Sequence, residues 1–554
     1  ALLHDIGKLY QRTGIWIKIE DYKKYLVFRG KYLYYHSAFT ASFIDQFIKD
    51  DNIKELSAGH HLPKPSIIKT ADIIAAAHDR RDSDGDDNKD NQFILMRTSS
   101  IFNLLGDAKK NEFLPLIPLS DFSGFVLRKK LSLKQAKKEY LDLYNLFTKS
   151  LMDIRYDNKK VLYHQLYPLL KNYLYAIPAN TYNTKNTYVS LFDHLKLTSA
   201  IANCMVVNEK DFIILKYHVH GITDFVYSDN DIELIHYRSI YMQVLCDLIA
   251  FHILNEFNLN YENIMYSLGG QGRILLPNGK AVIQRIENLY HRIISTVNNI
   301  HNGIIKFVLS YDIYNRNDLQ KGKFKNNLSK NEKFLISNEK IVIKDNLKID
   351  YYSIGKKIIN NKSIIEYNFG KKNHNINVFD FFDLGGIIIN SDEVKENCYY
   401  QSYNGPLIGE TKFYNLSINY QMNKKSCLVF MDIKSLGDIF NKQMSTSSQS
   451  FSTFLTLSRS LELFISKQLA LICSGYKMDC LYASGDDIVF ITDMIDAQII
   501  VSKIIDGFNK YTGNNTVFNW NVKIEKITKN NISEIYKNLK EKIKEVSNNE
   551  RIAK

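Results

Sequence analysis

The sequence predicts an α+β multidomain protein in which an all-α region precedes two related units of antiparallel strands and helices. Its 554 residues correspond to roughly three or four domains by length. The opening stretch ALLHDIGKLYQR carries a helix-like apolar run. Two later stretches, 150–300 and 405–525, each show a strand, a long amphipathic segment and a tight hairpin, in the same order.

The hairpins of the two units align with each other. IMYSLGGQGRILLP begins at Ile264 and CLYASGDDIVFIT begins at Cys480. The alignment pairs four positions: Tyr266 with Tyr482, Gly269 with Gly485, Gly270 with Asp486, and Gln271 with Asp487. A strand, a helix, a hairpin and a further helix are the elements of a ferredoxin-like palm, an antiparallel sheet with helices on one face. We therefore expect two palm units of the same topology.

Three carboxylates distinguish the second unit from the first. Asp486 and Asp487 follow the turn Ser484-Gly485, and Asp432 ends an apolar strand. Neighbouring carboxylates repel one another unless cations compensate them, and Mg²⁺ takes oxygen ligands while leaving room for substrate phosphates. The pattern predicts a two-cation nucleotidyl-transfer site that holds Mg²⁺ or Mn²⁺. A solvated turn is the alternative interpretation, because Gly-Asp is common turn chemistry.

The first unit has no carboxylate at the matching hairpin positions. Gly269 and Gly270 stand there instead. Small residues would let a second nucleotide approach the backbone, whose N–H groups bind phosphate. The two units are therefore expected to share a fold and to differ in chemistry.

Histidine and aspartate accumulate near the start of the chain. The candidate metal ligands are His4, Asp5, His36, His60, His61 and Asp72. Together these residue types suit a transition-metal site that activates water. Each histidine alone is more often an ordinary polar or core residue, so the prediction depends on their joint occurrence.

Charge and composition narrow the class of protein. The formal net charge is +13, which favours an anionic partner such as nucleic acid or a nucleotide. The six cysteines form no CxxC pair, so neither a disulfide framework nor a zinc ribbon is predicted. With no signal peptide and no apolar run of about 18 residues, we expect a cytoplasmic protein without a membrane partner.

In these motifs the chain resembles the Cas10 (Csm1-type) large subunit of type III CRISPR effector complexes. The resemblance rests on HDIGK with the later His-His pair, on SLFDHLKLTSAIA, on YSLGGQGRILLPN, and on DIKSLG followed by ASGDD. It implies an HD nuclease domain, two palms, a small connecting domain and a carboxy-terminal helical region. The implied boundaries are 1–105 (HD domain), 106–150 (linker), 151–304 (palm 1), 305–404 (connecting domain), 405–525 (palm 2) and 526–554 (start of the helical region).

The resemblance also implies two activities that target RNA switches on. One is synthesis of cyclic oligoadenylates from ATP between the palms, and the other is metal-dependent cleavage of single-stranded DNA at the HD site, with Mn²⁺, Ni²⁺ or Co²⁺ there. Implied partners are the other effector subunits, guide RNA and target RNA. The expected catalytic residues are His4, Asp5, Asp432, Asp486 and Asp487, and the expected nucleotide-binding residues are Ser484, Gly485, Gly269, Gly270 and Lys434.

Two positions depart from the usual motifs of this family. Ser484 replaces the first glycine of the GGDD turn, and Lys434 replaces the second acid of the strand motif. We expect Lys434 to contact the triphosphate. Two alternatives remain open at this stage: a palm enzyme that uses another nucleotide, and an RNA-binding scaffold subunit with one or both sites inactive.

Overall fold

The structure is a computed structural model. It describes residues 1–29, 32–76, 92–105, 112–122, 124, 126–127, 131–154, 158–181, 187–208, 211–301, 303–316, 333–335, 387–389, 399–401, 422–437, 439, 451–514, 516–528 and 531–552. Most of the predicted connecting domain therefore lies outside the described residues.

The amino-terminal region is built mainly from helices. They are α1 (Gly7–Arg12), α2 (Tyr35–Phe47), α3 (Asp51–Ala58), α4 (Ile67–Ala75) and α5 (Gln92–Leu95). Side chains of Asp50 and Ser66 cap α3 and α4 by accepting hydrogen bonds from backbone N–H groups. The prediction of an all-α region misses one antiparallel pair, formed by β1 (Phe28–Arg29) and β2 (Tyr32–Leu33).

The segment predicted as a linker, 106–150, contains a substantial part of this helical region. It holds the short strands β3 (Glu112–Phe113) and β4 (Val126–Leu127) and most of α6 (Leu133–Met152). Helix α6 begins at a capping box and packs its aromatic side chains on α1 and α2, where Tyr144 stacks on Tyr10 at 4.8 Å between ring centroids. The segment predicted as a linker thus contains a helix that packs on the amino-terminal region, because an amphipathic helix needs a partner surface and finds it here.

Palm 1 follows two connecting helices, α7 (Lys159–Leu174) and α8 (Leu191–Val207). Its elements are β5 (Asp211–His220), α9 (Ile222–Val226), α10 (Ile232–Glu256), β6 (Ile264–Leu268), β7 (Gln271–Pro277), α11 (Lys280–His301), β8 (Lys306–Asn315) and β9 (Lys333–Leu335). The antiparallel strands lie in the order β6-β7-β5-β8-β9. Strand β8 pairs along all of β5, so the palm 1 sheet continues past residue 304, the predicted end of this domain.

Palm 2 repeats this topology. After the short parallel pair β10 (Ile387–Ile389) and β11 (Tyr399–Gln401), its elements are β12 (Ser426–Ile433), α12 (Phe451–Leu463), α13 (Leu469–Cys473), β13 (Met478–Ser484), β14 (Asp487–Asp493), α14 (Met494–Tyr511) and β15 (Trp520–Lys526). The strand order β13-β14-β12-β15 matches that of palm 1. The prediction of two antiparallel, ferredoxin-like palms is confirmed.

Strand β12 is buried on both faces. Its alternating side chains Cys427, Val429 and Met431 join a core with α14, whereas Leu428 and Phe430 join the core that contains palm 1. The final helix, α15 (Ile532–Ile552), packs on β12 and β15. Helices thus cover both faces of this sheet, in contrast to the predicted one-sided cover. Among the described residues, no helix combines the length and apolar composition needed to cross a lipid bilayer.

One helix of each palm crosses to the hairpin of the other palm. Helix α10 of palm 1 packs on β13, and α12 of palm 2 packs on β6. His236 of α10 lies 3.7 Å from Asp479 of β13. This exchange brings the two hairpin-bearing sheets together in a pseudosymmetric pair.

Gly7 sets the approach of α1 to α2. A Cβ atom at this position would lie 2.1 Å from the carbonyl oxygen of His36 and 2.5 Å from the backbone nitrogen of Thr40. We expect Gly7→Ala to destabilise the amino-terminal region by about 1–3 kcal/mol, because backbone atoms must move apart. Thermal unfolding of the full chain measures this effect.

Gly279→Ala is the matched control, since its Cβ would meet only Val282 at an ordinary 3.9 Å. Equal melting temperatures for Gly7→Ala and the unaltered protein would contradict the packing described for α1 and α2.

Candidate active centres

The three palm 2 carboxylates converge at the end of paired strands. Asp432 of β12 lies directly opposite Asp487 of β14 in the antiparallel register. Gly485, at φ +65°, forms the turn between β13 and β14, and the N–H of Ile433 donates to the carbonyl oxygen of Asp486 at 3.0 Å. One oxygen from each carboxylate lies within 4.8 Å of the others. This spacing allows all three to bind the same cation or a pair of cations.

Partial burial raises the pKa values of all three carboxylates. Loss of water, followed by the nearby Asp432, raises the pKa of Asp486 to about 6. The pKa of Asp487 is raised well above its ordinary value by burial and then by Asp486 and Asp432. Burial also raises the pKa of Asp432, although a hydrogen bond from Asn521 opposes the shift. A cation would remove the repulsion that favours the protonated forms.

Two polar residues that carry no sequence signal approach these acids. The side-chain amide of Asn521 in β15 donates to Asp432 at 3.0 Å. Lys540 of α15 lowers the pKa of Asp487 and donates to Thr223 of palm 1. Neither belongs to a recognisable motif, and only strand register and helix docking place them here. Lys434 likewise opposes the rise in the pKa of Asp432 that burial causes.

The palm 1 hairpin at Gly269 and Gly270 occupies the position that corresponds to the palm 2 acids. In the sheet register, His218 faces Gln271 just as Asp432 faces Asp487. Gly269 and Gly270 have φ of +61° and +76°. A Cβ on Gly270 would lie 2.3 Å from Ile222, so this glycine is required by turn geometry and close packing. Ile222 therefore fills the space on the Cβ side of Gly270, and nucleotide binding at this glycine stays a prediction.

The amino-terminal histidines and aspartates form two groups that share Asp5. The first group contains Asp5, His36, His60 and His61. Oδ1 of Asp5 lies 3.2 Å from Nε2 of His36 and 3.6 Å from Nε2 of His60. Nε2 atoms of His36 and His61 are 3.0 Å apart. Ligand atoms bonded to one metal at about 2.1 Å are separated by about 3.0–3.5 Å, so these distances fit one cation.

The second group contains His4, Asp5, Asp72 and His194. Oδ2 of Asp5 lies 3.5 Å from Nε2 of both His4 and His194, and Nε2 of His194 lies 3.1 Å from Oδ1 of Asp72. Each oxygen of Asp5 therefore faces a different group. All six predicted residues come together, and His194 joins them from α8, beyond the predicted 1–105 domain.

The histidines present the nitrogen that a metal would need. Nδ1 of His4 lies 2.8 Å from the carbonyl oxygen of Ala1, and Nδ1 of His60 lies 2.6 Å from that of Ser57. These carbonyls fix the tautomer and leave Nε2 as the free acceptor. Nε2 of both rings and Oδ1 of Asp5 are buried without a hydrogen-bond partner. Orphaned acceptors of this kind fit a cation better than an apolar core.

The pKa values of the first group also suit ligation. Burial lowers the pKa of His60 to about 3, and burial lowers the pKa of His36 and His61. These imidazoles are neutral near pH 7, as metal binding requires. In the second group, burial lowers the pKa of His194 but hydrogen bonds with Asp5 and Asp72 outweigh it, so that pKa is raised. Lys8 pairs with Asp5 at 2.6 Å and helps to hold its pKa low.

The fold defines a palm-type protein that also carries a helical cluster of histidine and aspartate side chains. Family models match two segments of the palms. Residues 211–344 match the Csm1 subunit domain B, and residues 425–553 match the second palm domain of Cas10/Cmr2.

Individual relatives point in the same direction. A Mycobacterium tuberculosis protein named "CRISPR system single-strand-specific deoxyribonuclease Cas10/Csm1 (subtype III-A)" is 26% identical over 335 residues, which cover 52% of this chain and 41% of that protein. An Enterococcus italicus protein of the same name is 23% identical over 615 aligned positions, covering 92% of this chain and 80% of that protein.

Solved structures share the fold over nearly the whole chain. The Csm1-Csm4 cassette in complex with one ATP matches with a TM-score of 0.71 at 18% identity, covering 98% of this chain and 81% of that one. Csm1 of T. onnurineus matches with a TM-score of 0.67 at 17% identity, covering 99% and 80%. The resemblance to Csm1-type Cas10 subunits, predicted from the motifs, is confirmed.

The raised pKa of Asp486 generates a pH-dependent stability. Between an unfolded value of about 3.9 and the folded value of about 6, the folded state binds more protons, so stability falls as pH rises through this window and stays low above it. Without divalent cations, we expect Asp486→Asn to raise the free energy of unfolding by about 2 kcal/mol at pH 8 and to have little effect at pH 4. Urea unfolding followed by tryptophan fluorescence measures the difference.

Asp506→Asn, at an exposed position on α14, is the control for loss of a charge. If Asp486→Asn destabilises the protein at pH 8, or changes its stability equally at both pH values, the electrostatic description of the triad is wrong.

Proposed function

We propose that this chain is the large, two-activity subunit of a type III CRISPR effector. In this proposal palm 2 converts ATP into cyclic oligoadenylates, and the amino-terminal centre cleaves single-stranded DNA. The convergence of Asp432, Asp486 and Asp487 at paired strand ends is the single observation that carries the proposal. The relatives named as single-strand-specific deoxyribonucleases, and similar Csm1-Csm4 structures in complex with ATP and with cA4, support both halves.

In the proposed synthesis, the 3′-hydroxyl of one nucleotide attacks the α-phosphorus of another, and the bond to pyrophosphate breaks. Asp432, Asp486 and Asp487 would hold Mg²⁺ or Mn²⁺, which supplies charge neutralisation and a more acidic hydroxyl when bound. Asn521 keeps Asp432 oriented toward the other two acids. Lys434 and Lys540 add positive charge for the phosphates. Among the described residues, none other than the chain neighbours of Gly485 has a heavy atom within 4 Å of its Cβ position, which leaves this side of the turn accessible to a nucleotide.

In the proposed nuclease, the two groups around Asp5 would hold one divalent cation each. Mn²⁺, Ni²⁺ or Co²⁺ suits this mixture of imidazole and carboxylate ligands and supplies an activated water when bound. Asp5 positions both groups through its two oxygens. Ser57 and Ala1 fix the histidine tautomers, so that the ring nitrogens need no rearrangement to bind.

The proposed partners follow from the family and the charge. Other type III effector subunits, guide RNA and target RNA would surround the chain, and single-stranded DNA and ATP would be its substrates. One similar solved structure is a Csm1-Csm4 subcomplex in the type III-A CRISPR-Csm interference complex. The net charge of +13 is consistent with polyanionic partners.

A second candidate function is an RNA-binding scaffold subunit with an inactive palm. The observation that favours it is Lys434, which stands where the family has an acid and which reduces the negative charge available to a second cation. This candidate predicts RNA binding without any nucleotide product.

Two double variants separate the proposed activities. We expect Asp486→Ala with Asp487→Ala to reduce oligoadenylate synthesis at least ~100-fold, because the cation ligands are lost, while DNA cleavage persists. We expect His4→Ala with Asp5→Ala to have the opposite effect. The assembled complex is supplied with matching target RNA, ATP and Mn²⁺; products are resolved by chromatography and DNA cleavage by gel electrophoresis.

Each double variant serves as the folding control for the other, since each must retain one activity. Undiminished synthesis without Asp486 and Asp487 would refute the palm assignment. A wild-type complex that binds RNA but makes no product from ATP or another nucleotide would support the scaffold function instead.

A further inference from the structure

We propose that Arg459 of palm 2 is a positioning residue for the amino-terminal metal centre, acting through Asp193 on His194. This inference rests on the proposed metal-binding function of that centre and extends it. Arg459 lies on α12, whereas Asp193 and His194 are adjacent on α8. Helix α8 would thus complete the nuclease centre by supplying His194. Palm 2, which carries the proposed synthesis site, would fix the position of α8 through Arg459.

The Asp193–Arg459 ion pair is buried, and both carboxylate oxygens of Asp193 accept hydrogen bonds. Nε of Arg459 donates to Oδ1 and Oδ2 of Asp193 at 2.9 and 3.1 Å, and Nη2 donates to Oδ2 at 2.8 Å. Hydroxyls of Ser190 and Thr456 donate to Oδ2 at 2.8 and 2.9 Å. Only 1% of Asp193 and 6% of Arg459 is exposed. A forked guanidinium on a carboxylate fixes both distance and orientation.

Adjacent residues on a helix point about 100° apart. Asp193 therefore faces α12 while His194 faces Asp72 and Asp5, at 3.1 and 3.5 Å. A rotation of α8 about its axis that strains the ion pair would also move the imidazole out of the second group. The ion pair consequently restrains the one member of that group that lies outside the predicted HD domain.

Helix α12 contacts both palm 1 and two helices that carry members of the second group. Near its start, the hydroxyl of Ser452 donates to the carbonyl oxygen of Ala75, in the helix that carries Asp72. Phe454 packs against Tyr266 of the palm 1 hairpin, with ring centroids 5.6 Å apart. Asp72 and His194, two of the four members of the second group, are thus both on helices that α12 contacts.

Stability alone is a weak reason for such a pair. Buried ion pairs can often be replaced by apolar side chains of similar volume without loss of stability, whereas removing one partner is strongly destabilising. The ordinary interpretation is that Asp193–Arg459 simply joins palm 2 to the rest of the chain. The two interpretations differ in whether the metal affinity of the second group depends on the pair.

The test is a Co²⁺ titration of the full chain followed by its visible absorbance, which reports imidazole ligation. All proteins carry Asp486→Asn and Asp487→Asn, so that the oxygen-only palm site contributes little. The key variant, Asp193→Leu with Arg459→Met, removes the pair while filling its volume. The matched control, Asp312→Leu with Lys216→Met, removes a buried ion pair of 3.0 Å on the palm 1 sheet, away from the centre.

We expect the key variant to weaken one class of Co²⁺ sites roughly 10-fold, leaving the other class and the control variant unchanged. His194→Ala should weaken the same class, and His60→Ala the other. Arg459→Lys keeps the positive charge but loses the forked guanidinium, so it should give an intermediate Co²⁺ affinity. This variant tests the positioning role if Asp193→Leu/Arg459→Met does not fold.

Wild-type affinity in both Asp193→Leu/Arg459→Met and Arg459→Lys would overturn the positioning role while leaving the metal centre intact. Failure of the parent protein to bind Co²⁺ through imidazole would instead overturn the proposed centre, and the positioning role with it.

Discussion

Carboxylates removed from water destabilise a fold unless positive charge compensates them, and both candidate centres depend on this constraint. In palm 2, Asp486 and Asp487 are held beside Asp432 by strand register and a glycine turn. The pKa values of both are raised, and Lys540 opposes the shift of Asp487 only in part. In the amino-terminal centre, Asp5 is almost completely buried, and against the effect of burial the ion pair with Lys8 helps to hold the pKa of its carboxyl well below the usual range. Both arrangements favour cation binding for the same electrostatic reason.

The two centres are connected through helices and not through a flexible linker. Helix α8 contributes His194 to one centre and packs under palm 1, while α12 of palm 2 contacts α8, α4 and the palm 1 hairpin. Burial on both faces of β12 gives this assembly a continuous core. The candidate ligands of the amino-terminal centre thus come from the first helical segments and from α8, which lies between that region and palm 1 in the chain.

Local sequence patterns predicted the features that local physics controls. Alternating apolar residues and a glycine turn were enough to predict both hairpins. The alignment of Tyr266 with Tyr482 predicted that the two palms share a topology. The pattern could not show that β8 completes palm 1, that α6 belongs to the helical region, or that Ile222 fills the space beside Gly270. These features depend on tertiary contacts between distant residues, and short-range periodicity carries no information about them.

The residues of the candidate sites also divide into those that local sequence predicts and those that only tertiary contacts bring to the site. The His-Asp cluster and the three palm acids were identified because several residues of the right type occur together. His194 was missed although its motif, SLFDHLKLTSAIA, was recognised, because one histidine on an apolar helix is usually a core residue. Asn521 and Lys540 were missed because only register with Asp432 and the docking of α15 bring them to the triad.

Buried carboxylates would organise cation sites at both ends of the chain, and anomalous diffraction from crystals of the full chain grown with Mn²⁺ tests this directly. We predict manganese bound by Asp432, Asp486 and Asp487. We also predict two further manganese ions on either side of Asp5, one of them ligated by His194. Crystals that diffract well and contain no manganese at the triad or beside Asp5 would contradict the assignment of both centres.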